Sequence, residues 1–598
     1  MTSRLQFAAL FFAVAAAAAG QVVPTPPTPP SAGYGIQAEL GLPNTTGYTA
    51  VTVPDSGNSA SNSANLQAAI NAASCNPVGT VIFLPAGVVY DGGITLPAKT
   101  CAAGQWVVIR SGAAASALPA AGARTSPSFA PMLPVIETDA VNVDGILVAP
   151  AAENYWLSNL EITIDTAALS GKDSTAALVD IGNGTYGAGC FVCSPGEEPS
   201  NIVLDRMLLR GSDAPPIGLR RGVAMNCARC AVVNSWIDQI HEVGADTQAI
   251  GGWDSTGPWL VDNNYLSAAA ENVLVGGADS NMGQNESDLT FTRNYFFKPL
   301  SWNPGDAGYA GTNWSVKNLL EFKSGVRVLV EGNVFQNDWL AAQSGRAIVI
   351  NPTDAGDANN PWVTTSDIAV EYNRIDNTQG FAEVAMAVPG GSSVAATRIA
   401  LTNNLATNQG VGSGYLFLGV SDATANVTGL ATEVLVSHNT TLLSLSAPQV
   451  PSSGYEFESE VNGGQAPLVD WAMHNNIWEV GQFQVHGNCS VAGAGSNCFT
   501  ADAWWDDLPY DTAGLCSAGG QSTIYATHAP ACPIADVNAI GFVNGTGGDY
   551  ALQASSPGHM AATDGTDVGA DIAGLNSQIA GVAPPTQAAT RRAGRTVF

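Results

Sequence analysis

The chain alternates apolar and polar residues over short stretches, and one alternating pattern recurs through its second half. The pattern runs apolar, any, apolar, two further residues, Asn, any, apolar, as in VLVEGNVF at 328–335 and IAVEYNRI at 368–375. Seven copies carry the asparagines Asn264, Asn294, Asn333, Asn373, Asn404, Asn439 and Asn476. An apolar period of two, within a repeat of 30 to 40 residues, excludes a helical solenoid and predicts stacked short strands.

The variable length of the repeat indicates which stacked-strand fold this is. A propeller blade needs four strands, whereas each repeat here offers two or three short strands separated by Gly, Asn and Asp turns. We therefore predict an all-β chain that forms a right-handed parallel β-helix over residues 60–480. The Asn that recurs at one bend predicts a ladder in which each side-chain amide bonds the coils above and below.

A segment with helical spacing of apolar residues precedes the first predicted strand. This segment is ANLQAAINAA at 64–73, with Ser63 as a possible N-cap. A strand follows at 80–84. We expect the helix to cover the N-terminal end of the β-helix, because an uncovered end would expose unpaired strand groups.

The two ends of the chain differ in composition from the repeats. Arg4 and the apolar stretch that follows it predict a secretory signal over residues 1–20, and the stretch is short for a membrane anchor, which is the alternative. Residues 21–59 are predicted to be a stiff Pro-rich linker and N-terminal segment. Residues 481–582 are interpreted as a cap pinned by four cysteines, and residues 583–598 as a disordered tail.

Composition narrows the possible partners. The chain has 598 residues, of which 46% are hydrophobic and 12% charged, and its formal net charge is −29. Such an acidic chain repels phosphate, so we expect no nucleic acid partner and no anionic membrane surface. An acidic polysaccharide would need a local cationic patch or a metal.

The cysteines are consistent with export and disulfide formation. Two Cys-x-x-Cys motifs, at 190–193 and 227–230, have the spacing of a four-thiolate zinc site. In an exported chain we favour disulfides that cross from one coil to the next, and we also expect Cys75 to pair with Cys101. We expect no structural zinc.

Ionisable residues stand at equal offsets in three neighbouring predicted strands. Asp246, Glu271 and Lys317 each lie six positions before the end of DTQAIGG, ENVLVGG and KNLLEFK. Strands stacked in register would place these three side chains one above another, about 4.8 Å apart per coil. Two carboxylates beside a lysine can bind a cation or transfer a proton. The alternative is a structural salt ladder, whose members offset one another's charge.

The LLEFK strand extends this group of charges. If Leu320 and Phe322 face the core, then Leu319, Glu321 and Lys323 point outward. Arg346 is assigned to substrate binding, together with tryptophans in the loops beside these strands that can stack on sugar rings. These tryptophans are Trp253, Trp302, Trp314 and Trp339.

Several motifs resemble those of the pectate-lyase-like superfamily. NSWIDQI at 234–240 resembles the Asn-x-Trp-Ile-Asp-His strand of pectate lyases, and LVGGADS at 274–280 followed by LTFTRNYF resembles another pair of their strands. NLQAAINAA before VIFLPAGVVY is similar to the N-terminal cap and first strand of the wider superfamily. The ending DYALQASSPGHMAATDGTDVGAD resembles the close of many secreted bacterial β-helix proteins. Two departures concern activity: Gln239 replaces the His, and no Arg-x-Pro-x-x-Arg follows Asn294.

The resemblance implies a chemistry. Lyases of this fold that resemble chondroitinase B and the alginate lyases use a lysine base, with calcium held by acidic residues. It implies Lys317 or Lys323, with Glu321, as catalytic residues. Calcium would be held by acidic residues, assigned here as Asp246, Glu271 and Asp279.

Three functions follow as expectations for a secreted, monomeric chain. The first is a polysaccharide lyase that cleaves a uronate-containing polysaccharide by β-elimination. The second is an inverting glycoside hydrolase on the same fold, using Asp246 with Glu271 or Glu271 with Glu321. The third is a non-catalytic carbohydrate-binding or surface protein.

Overall fold

A computed structural model describes most of the predicted β-helix. The described residues are 24–31, 43–169, 177–182, 192–343, 345–353, 360–385, 394–410, 416–421, 432–443, 457–460, 470–479, 485–487, 504–505, 507–510 and 537–584. The predicted signal and most of the tail fall outside these ranges, as do the four cysteines of the predicted cap.

The chain coils so that successive strands enter three long parallel sheets in turn. Sheet 1 contains Thr49–Thr52, Thr80–Leu84, Val107–Ser111, Glu153–Ser158, Ser200–Asp205, Cys230–Val233, Trp259–Asp262, Ser287–Thr292, Gly325–Glu331, Thr365–Glu371, Thr397–Thr402, Thr432–Ser437, Trp471–His474 and Trp504–Trp505. Sheet 2 contains Val89–Asp91, Val135–Thr138, Glu161–Ile164, Leu208–Arg210, Trp236–Ile240, Tyr265–Ala268, Tyr295–Phe297, Val334–Gln336, Arg374–Asp376, Leu405–Gln409, Thr440–Leu443, Ile477–Glu479 and Leu508–Tyr510. Sheet 3 contains Ile94–Leu96, Ile146–Val148, Ala177–Ile181, Arg221–Met225, Gln248–Gly252, Glu271–Val275, Leu320–Phe322, Arg346–Ile350, Gly380–Ala385, Leu416–Ser421, Phe457–Glu460 and Val485–Gly487.

This topology is the predicted right-handed parallel β-helix. Its coils extend beyond the predicted 60–480 at both ends, from the strand Thr49–Thr52 to the strand Leu508–Tyr510. The remaining strands of the described ranges form two antiparallel pairs, Ser212–Asp213 with Pro216–Ile217 and Phe542–Asn544 with Asp549–Leu552. The helices among the described residues are Ser59–Ala72 (α1) and Ile572–Gln578 (α2), with short 3-10 turns at Ala115–Ala117, Pro127–Met132, Pro195–Glu197, Leu300–Trp302, Val537–Ile540 and Gly545–Gly547.

The alternating apolar residues of sheet 1 point into the core. Phe291 pairs in register with Val330, and Val330 pairs with Val370, so one apolar column runs through successive coils. All three side chains are fully buried. The period-two pattern therefore selects the inward face, because successive side chains of a strand point to opposite sides.

The predicted Asn ladder is confirmed. In each step one side-chain oxygen accepts two hydrogen bonds from the preceding Asn: Asn373 Oδ1 accepts from the backbone N of Asn333 at 2.9 Å and from its Nδ2 at 3.0 Å. The same Nδ2 also donates to the carbonyl of Phe291. The ladder continues at its ends through Ser235, whose N–H donates to Asn264, and Asp507, which accepts from Asn476.

The first helix is longer than the 64–73 segment predicted. It begins at Ser59, and the N-cap is Asn58 rather than Ser63, because the Asn58 side chain accepts from the Ser61 N–H. Ser63 lies inside the helix and donates to the carbonyl of Ser59. Leu66 and Ile70 pack into the main core, so the helix covers the end of the coils as expected.

The chain returns along the outside of the β-helix after residue 537. Ile572 and Leu575 of α2 pack on Leu405 of sheet 2. Arg293 donates to the carbonyl of Gln578 at 2.8 Å. The described part of the predicted cap region therefore extends along sheet 2 rather than only covering the C-terminal end.

The predicted Cys75–Cys101 disulfide is confirmed. The prediction that the cysteines of the 227–230 motif form disulfides to a neighbouring coil is wrong. Cys227 pairs with Cys230 inside its own motif, because the bend before Cys230–Val233 brings their Cα atoms to 6.1 Å. Cys190 lies outside the described residues.

None of the helices in the described ranges combines the length and apolar character needed to cross a bilayer.

Candidate functional site

The alignment of Asp246, Glu271 and Lys317 predicted from the sequence differs from the observed register. Gln248 pairs with Glu271, and Val273 pairs with Leu320, so Asp246 precedes the position opposite Glu271 by two residues. The two Gly-Gly pairs do not occupy equivalent positions in their strands, so aligning the strands on these pairs gives the wrong register. Gly252 lies within its strand, whereas Gly276 has a positive φ of 77° and follows the end of its strand.

The three side chains nevertheless converge. Lys317 Nζ lies 2.8 Å from Asp246 Oδ1 and 3.3 Å from Glu271 Oε1. Glu271 is fully buried, and its other oxygen accepts from Gln248 Nε2 at 2.5 Å. Burial alone would lower the pKa of Lys317, but Glu271 and Asp246 outweigh it and leave that pKa raised. Lys317 is therefore a protonated, held cation.

Glu321 and Lys323 form a second ion pair on the next strand of sheet 3. Their Oε1 and Nζ atoms lie 3.7 Å apart, and Asn318 Nδ2 donates to the other Glu321 oxygen at 3.0 Å. Burial raises the pKa of Glu321 to about 7, against the opposing effect of Lys323. A carboxyl group with a pKa near neutrality can accept or donate a proton at physiological pH.

The two ion pairs belong to one charged group. The charges of Glu271 and Lys317 both act on Glu321, the first raising its pKa and the second lowering it. We call Asp246, Glu271, Lys317, Glu321 and Lys323 the charged cluster. Its exposed parts are Asp246, with a side chain 52% exposed, and the two lysines, at 14% and 21%.

A glycine turn makes room for Lys323. A Cβ on Gly277 would lie 2.6 Å from Lys323 Cδ, and Gly277 has a φ of 91°. The turn after Glu271–Val275 therefore needs glycine for both its backbone conformation and the lysine packed against it. Leu319, predicted to point outward, instead belongs to the main apolar core.

The tryptophans assigned to sugar stacking are buried. Trp302, Trp314 and Trp339 form one apolar cluster with Ala269 and Val316, and they are 1%, 6% and 5% exposed. Their rings pack against protein, which corrects the expectation of open stacking faces. His241 also packs there, stacked on Trp314 at 3.8 Å between ring centroids.

The other predicted binding residues are dispersed. Trp253 is 8% exposed, and the Arg221 guanidinium lies 5.3 Å from its ring centroid. Arg346 makes an ion pair with Glu383. Asp279 follows the end of the strand that Glu271 begins, so about 13 Å of extended strand separates the two.

Two of the carboxylates assigned to calcium, those of Asp246 and Glu271, are engaged by a lysine in this structure. Within the described ranges no group of three or more Asp, Glu, His or Cys side chains is placed to hold a metal ion. The carboxylates of Asp246 and Glu271 face the Lys317 ammonium instead. Calcium binding stays a prediction.

Sequence analysis missed a fully buried lysine behind the charged cluster. Lys298 Nζ donates to the carbonyls of Ala268, Ala270 and Asn318 and to the side chain of Asn272. Burial lowers its pKa to about 8. The signal was a lone lysine after the apolar YFF strand, in a chain with 21 Lys and Arg residues.

Sequence analysis also missed a buried histidine that pairs with an exposed aspartate. His241 Nε2 lies 2.6 Å from Asp213 Oδ1, and the His241 side chain is fully buried. Its neighbour Glu242 pairs with Arg220 at 3.0 Å. These contacts lie at the end of the strand Trp236–Ile240, where the motif that resembles pectate lyases ends.

Comparison with known proteins gives matches among solved structures. No protein-family model matches the chain, and no curated protein does. An alginate lyase from Paenibacillus sp. str. FPU-7 is 13% identical with a TM-score of 0.34, covering 69% of this chain and 99% of that one. PfbA, a surface adhesin of Streptococcus pneumoniae, is 12% identical with a TM-score of 0.34, covering 69% and 91%. Pectate lyase Pel9A is 11% identical with a TM-score of 0.32, covering 87% and 95%.

At these identities and TM-scores the likeness carries no conclusion about the family or function of this chain. Its own three-sheet topology makes the chain a parallel β-helix, which is the fold that the sequence resemblance implies.

Proposed function

We propose that this chain is a secreted, carbohydrate-active protein, and more specifically a polysaccharide lyase that cleaves a uronate-containing polysaccharide by β-elimination. The observation that carries the proposal is the charged cluster. It combines a lysine held as a cation with a second lysine beside a carboxyl group of pKa about 7. Elimination needs both functions: a cation for the uronate carboxylate and a proton acceptor active near neutral pH.

The roles follow from exposure and pairing. Lys317 stays protonated and pairs with the uronate carboxylate, which makes the adjacent C5–H more acidic. When the 3.7 Å contact between Lys323 and Glu321 shortens to a hydrogen bond, a minor fraction of the pairs holds the proton on Glu321, and the free amine of Lys323 then removes the C5 proton. The C4–O bond breaks as the C4–C5 double bond forms, and the leaving oxygen takes a proton from water.

An inverting hydrolase is supported less well. That mechanism needs two carboxyl groups facing the sugar with a water between them. Asp246 and Glu271 are both held by Lys317, and the second oxygen of Glu271 is bonded to Gln248. A glycan-binding role without catalysis is the remaining alternative, and the assay below separates all three.

The test is incubation with a panel of uronate polysaccharides, followed by ultraviolet absorbance of the unsaturated product and by reducing ends. A lyase produces both signals. Reducing ends without absorbance would replace the proposal with hydrolysis, and retention on a glycan column without either signal would replace it with binding.

The Lys323–Glu321 pair predicts a pH dependence. Because burial raises the pKa of Glu321 to about 7, it is protonated below pH 7 and accepts a proton from Lys323 only above it. We expect kcat to rise tenfold per pH unit below about pH 7 and to level off above it. Glu321→Gln should abolish this rise of kcat with pH. An unchanged dependence of kcat on pH in Glu321→Gln would exclude the Lys323–Glu321 pair as the proton acceptor.

Calcium dependence is a separate prediction. The resemblance implies that activity falls with a chelator and returns with calcium, with Asp246, Glu271 and Asp279 as ligands. Calcium binding can be tested without an activity readout by isothermal titration calorimetry, in which calcium is added to protein whose metal a chelator has removed. Equal binding by the unmodified chain and by Asp246→Asn would remove Asp246 from the ligand set.

A further inference from the structure

The Pro-rich segment near the N-terminus has a period of three. Residues 24–31 read PTPPTPPS, so Thr25, Thr28 and Ser31 are the residues other than proline. A polyproline II helix has three residues per turn and rises about 3.1 Å per residue. These three residues therefore lie on one side of such a helix, about 9.3 Å apart.

A column of alternating charges lies on the outer face of sheet 1. The column contains one residue per coil. Each member is the residue that directly follows one of five residues paired in register across successive coils: Ser287, Val326, Ser366, Thr397 and Thr432. We call this column the charge ladder: Asp288, Arg327, Asp367, Arg398 and Glu433. All five residues have a left-handed φ between 53° and 60°.

Arginines hold the acidic members of the charge ladder in place. Arg327 makes two 2.7 Å hydrogen bonds to Asp288, and Arg398 makes two of the same length to Asp367. Arg327 and the Ser31 amide keep the pKa of Asp288 at about 2. The carboxylates are thus fixed, ionised acceptors.

The Pro-rich segment contacts every second rung. The Thr28 N–H donates to Asp367 Oδ1 at 2.7 Å, and the Ser31 N–H donates to Asp288 Oδ1 at 2.8 Å. The Thr25 hydroxyl donates to Glu433. Two coils of a β-helix span roughly 9.6 Å, close to the 9.3 Å turn of polyproline II. The acidic rungs therefore match the period of the segment.

We propose that the charge ladder is a binding site for a polyproline II strand with a hydrogen-bond donor, N–H or hydroxyl, at every third residue, and that residues 24–31 of the same chain occupy it. The intervening prolines have no N–H and hold the strand in its extended form. Only residues at the three-residue period can donate, so the ladder selects both the conformation and the spacing of its occupant. The segment predicted to be a stiff linker is thus a ligand of the β-helix.

A pair of substitutions at one position separates the amide from the side chain. Thr28→Pro removes the N–H while keeping the polyproline II conformation, whereas Thr28→Ala keeps the N–H. The readout is hydrogen exchange at the Ser31 amide in the full chain, measured by mass spectrometry.

In the unmodified chain and in Thr28→Ala we expect the Ser31 amide to exchange at least tenfold more slowly than in the free peptide PTPPTPPS. In Thr28→Pro we expect exchange close to the free-peptide rate, because one of the two amide anchors is gone. Free-peptide exchange in the unmodified chain, or equal exchange in the two variants, would overturn the proposal.

Binding in trans tests the ladder as a site. We expect fluorescently labelled PTPPTPPS to bind the Thr28→Pro chain at least tenfold more tightly than the unmodified chain, whose own segment competes, and the peptide PTPPPPPS to bind neither. Failure of PTPPTPPS to bind the Thr28→Pro chain would contradict the proposal. A dimer of the unmodified chain that Thr28→Pro dissolves in sedimentation would assign the segment to a second copy and overturn its placement in the same chain.

Discussion

Asn333→Ala is expected to lower the free energy of unfolding by about 3 kcal/mol, because a buried donor that loses its acceptor keeps the full cost of its desolvation. The Asn294 backbone N–H donates to Asn333 Oδ1 at 2.8 Å, and the Asn294 side chain donates to the same oxygen at 3.1 Å. Removing that oxygen leaves the backbone donor without its acceptor inside the β-helix. Urea unfolding followed by tryptophan fluorescence measures the change.

An asparagine outside the ladder provides the control. Asn71 is exposed on α1, where its side chain accepts from Gln67. Asn71→Ala should change the free energy of unfolding by less than about 0.5 kcal/mol. Equal losses in the two variants would show that the ladder adds no more stability than a surface hydrogen bond.

Lys317→Met is expected to reduce kcat at least 100-fold and also to destabilise the fold, and a second substitution separates the two effects. The variant leaves the fully buried Glu271 without its cation, at a cost of about 3–5 kcal/mol. Glu271→Gln in the same chain removes the buried charge, so the double variant should regain most of the lost stability. Urea unfolding and the lyase assay are run on both variants.

The Lys317→Met, Glu271→Gln double variant tests the catalytic role of Lys317. We expect it to be stable and still at least 100-fold slower, because the cation that neutralises the uronate carboxylate is missing. A stable double variant with the activity of the unmodified chain would make Lys317 a structural ion-pair partner only. The proton acceptor would then have to act without a fixed cation beside it.

The charged cluster was partly predictable. Asp246, Glu271 and Lys317 meet because charged residues are scarce in this chain and recur close to the turns of neighbouring strands. The register was not predictable, because Gly251 and Gly252 lie inside a strand while Gly276 and Gly277 form a turn. The side chains of Lys317 and Asp246 meet although the predicted strand register was wrong by one or two residues.

The tryptophans show where sequence reasoning failed. Trp302, Trp314 and Trp339 stand in loops, which predicts exposure, but they pack on one another beside Ala269 and Val316. A loop residue has no period from which burial can be predicted. Its exposure depends on which other loops stack against it.

The fold of this protein could be predicted from local sequence patterns. Its period-two apolar pattern and the Asn repeat specify the inward face of each strand and the bend where the ladder forms, because both depend on local spacing alone. Three further features depend on how the coils stack: which charges pair, how deeply Glu271 and Glu321 are buried, and the docking of Thr28 and Ser31 on Asp367 and Asp288. These contacts join residues up to 339 positions apart, and their partners are set by coil stacking rather than by neighbours in the chain.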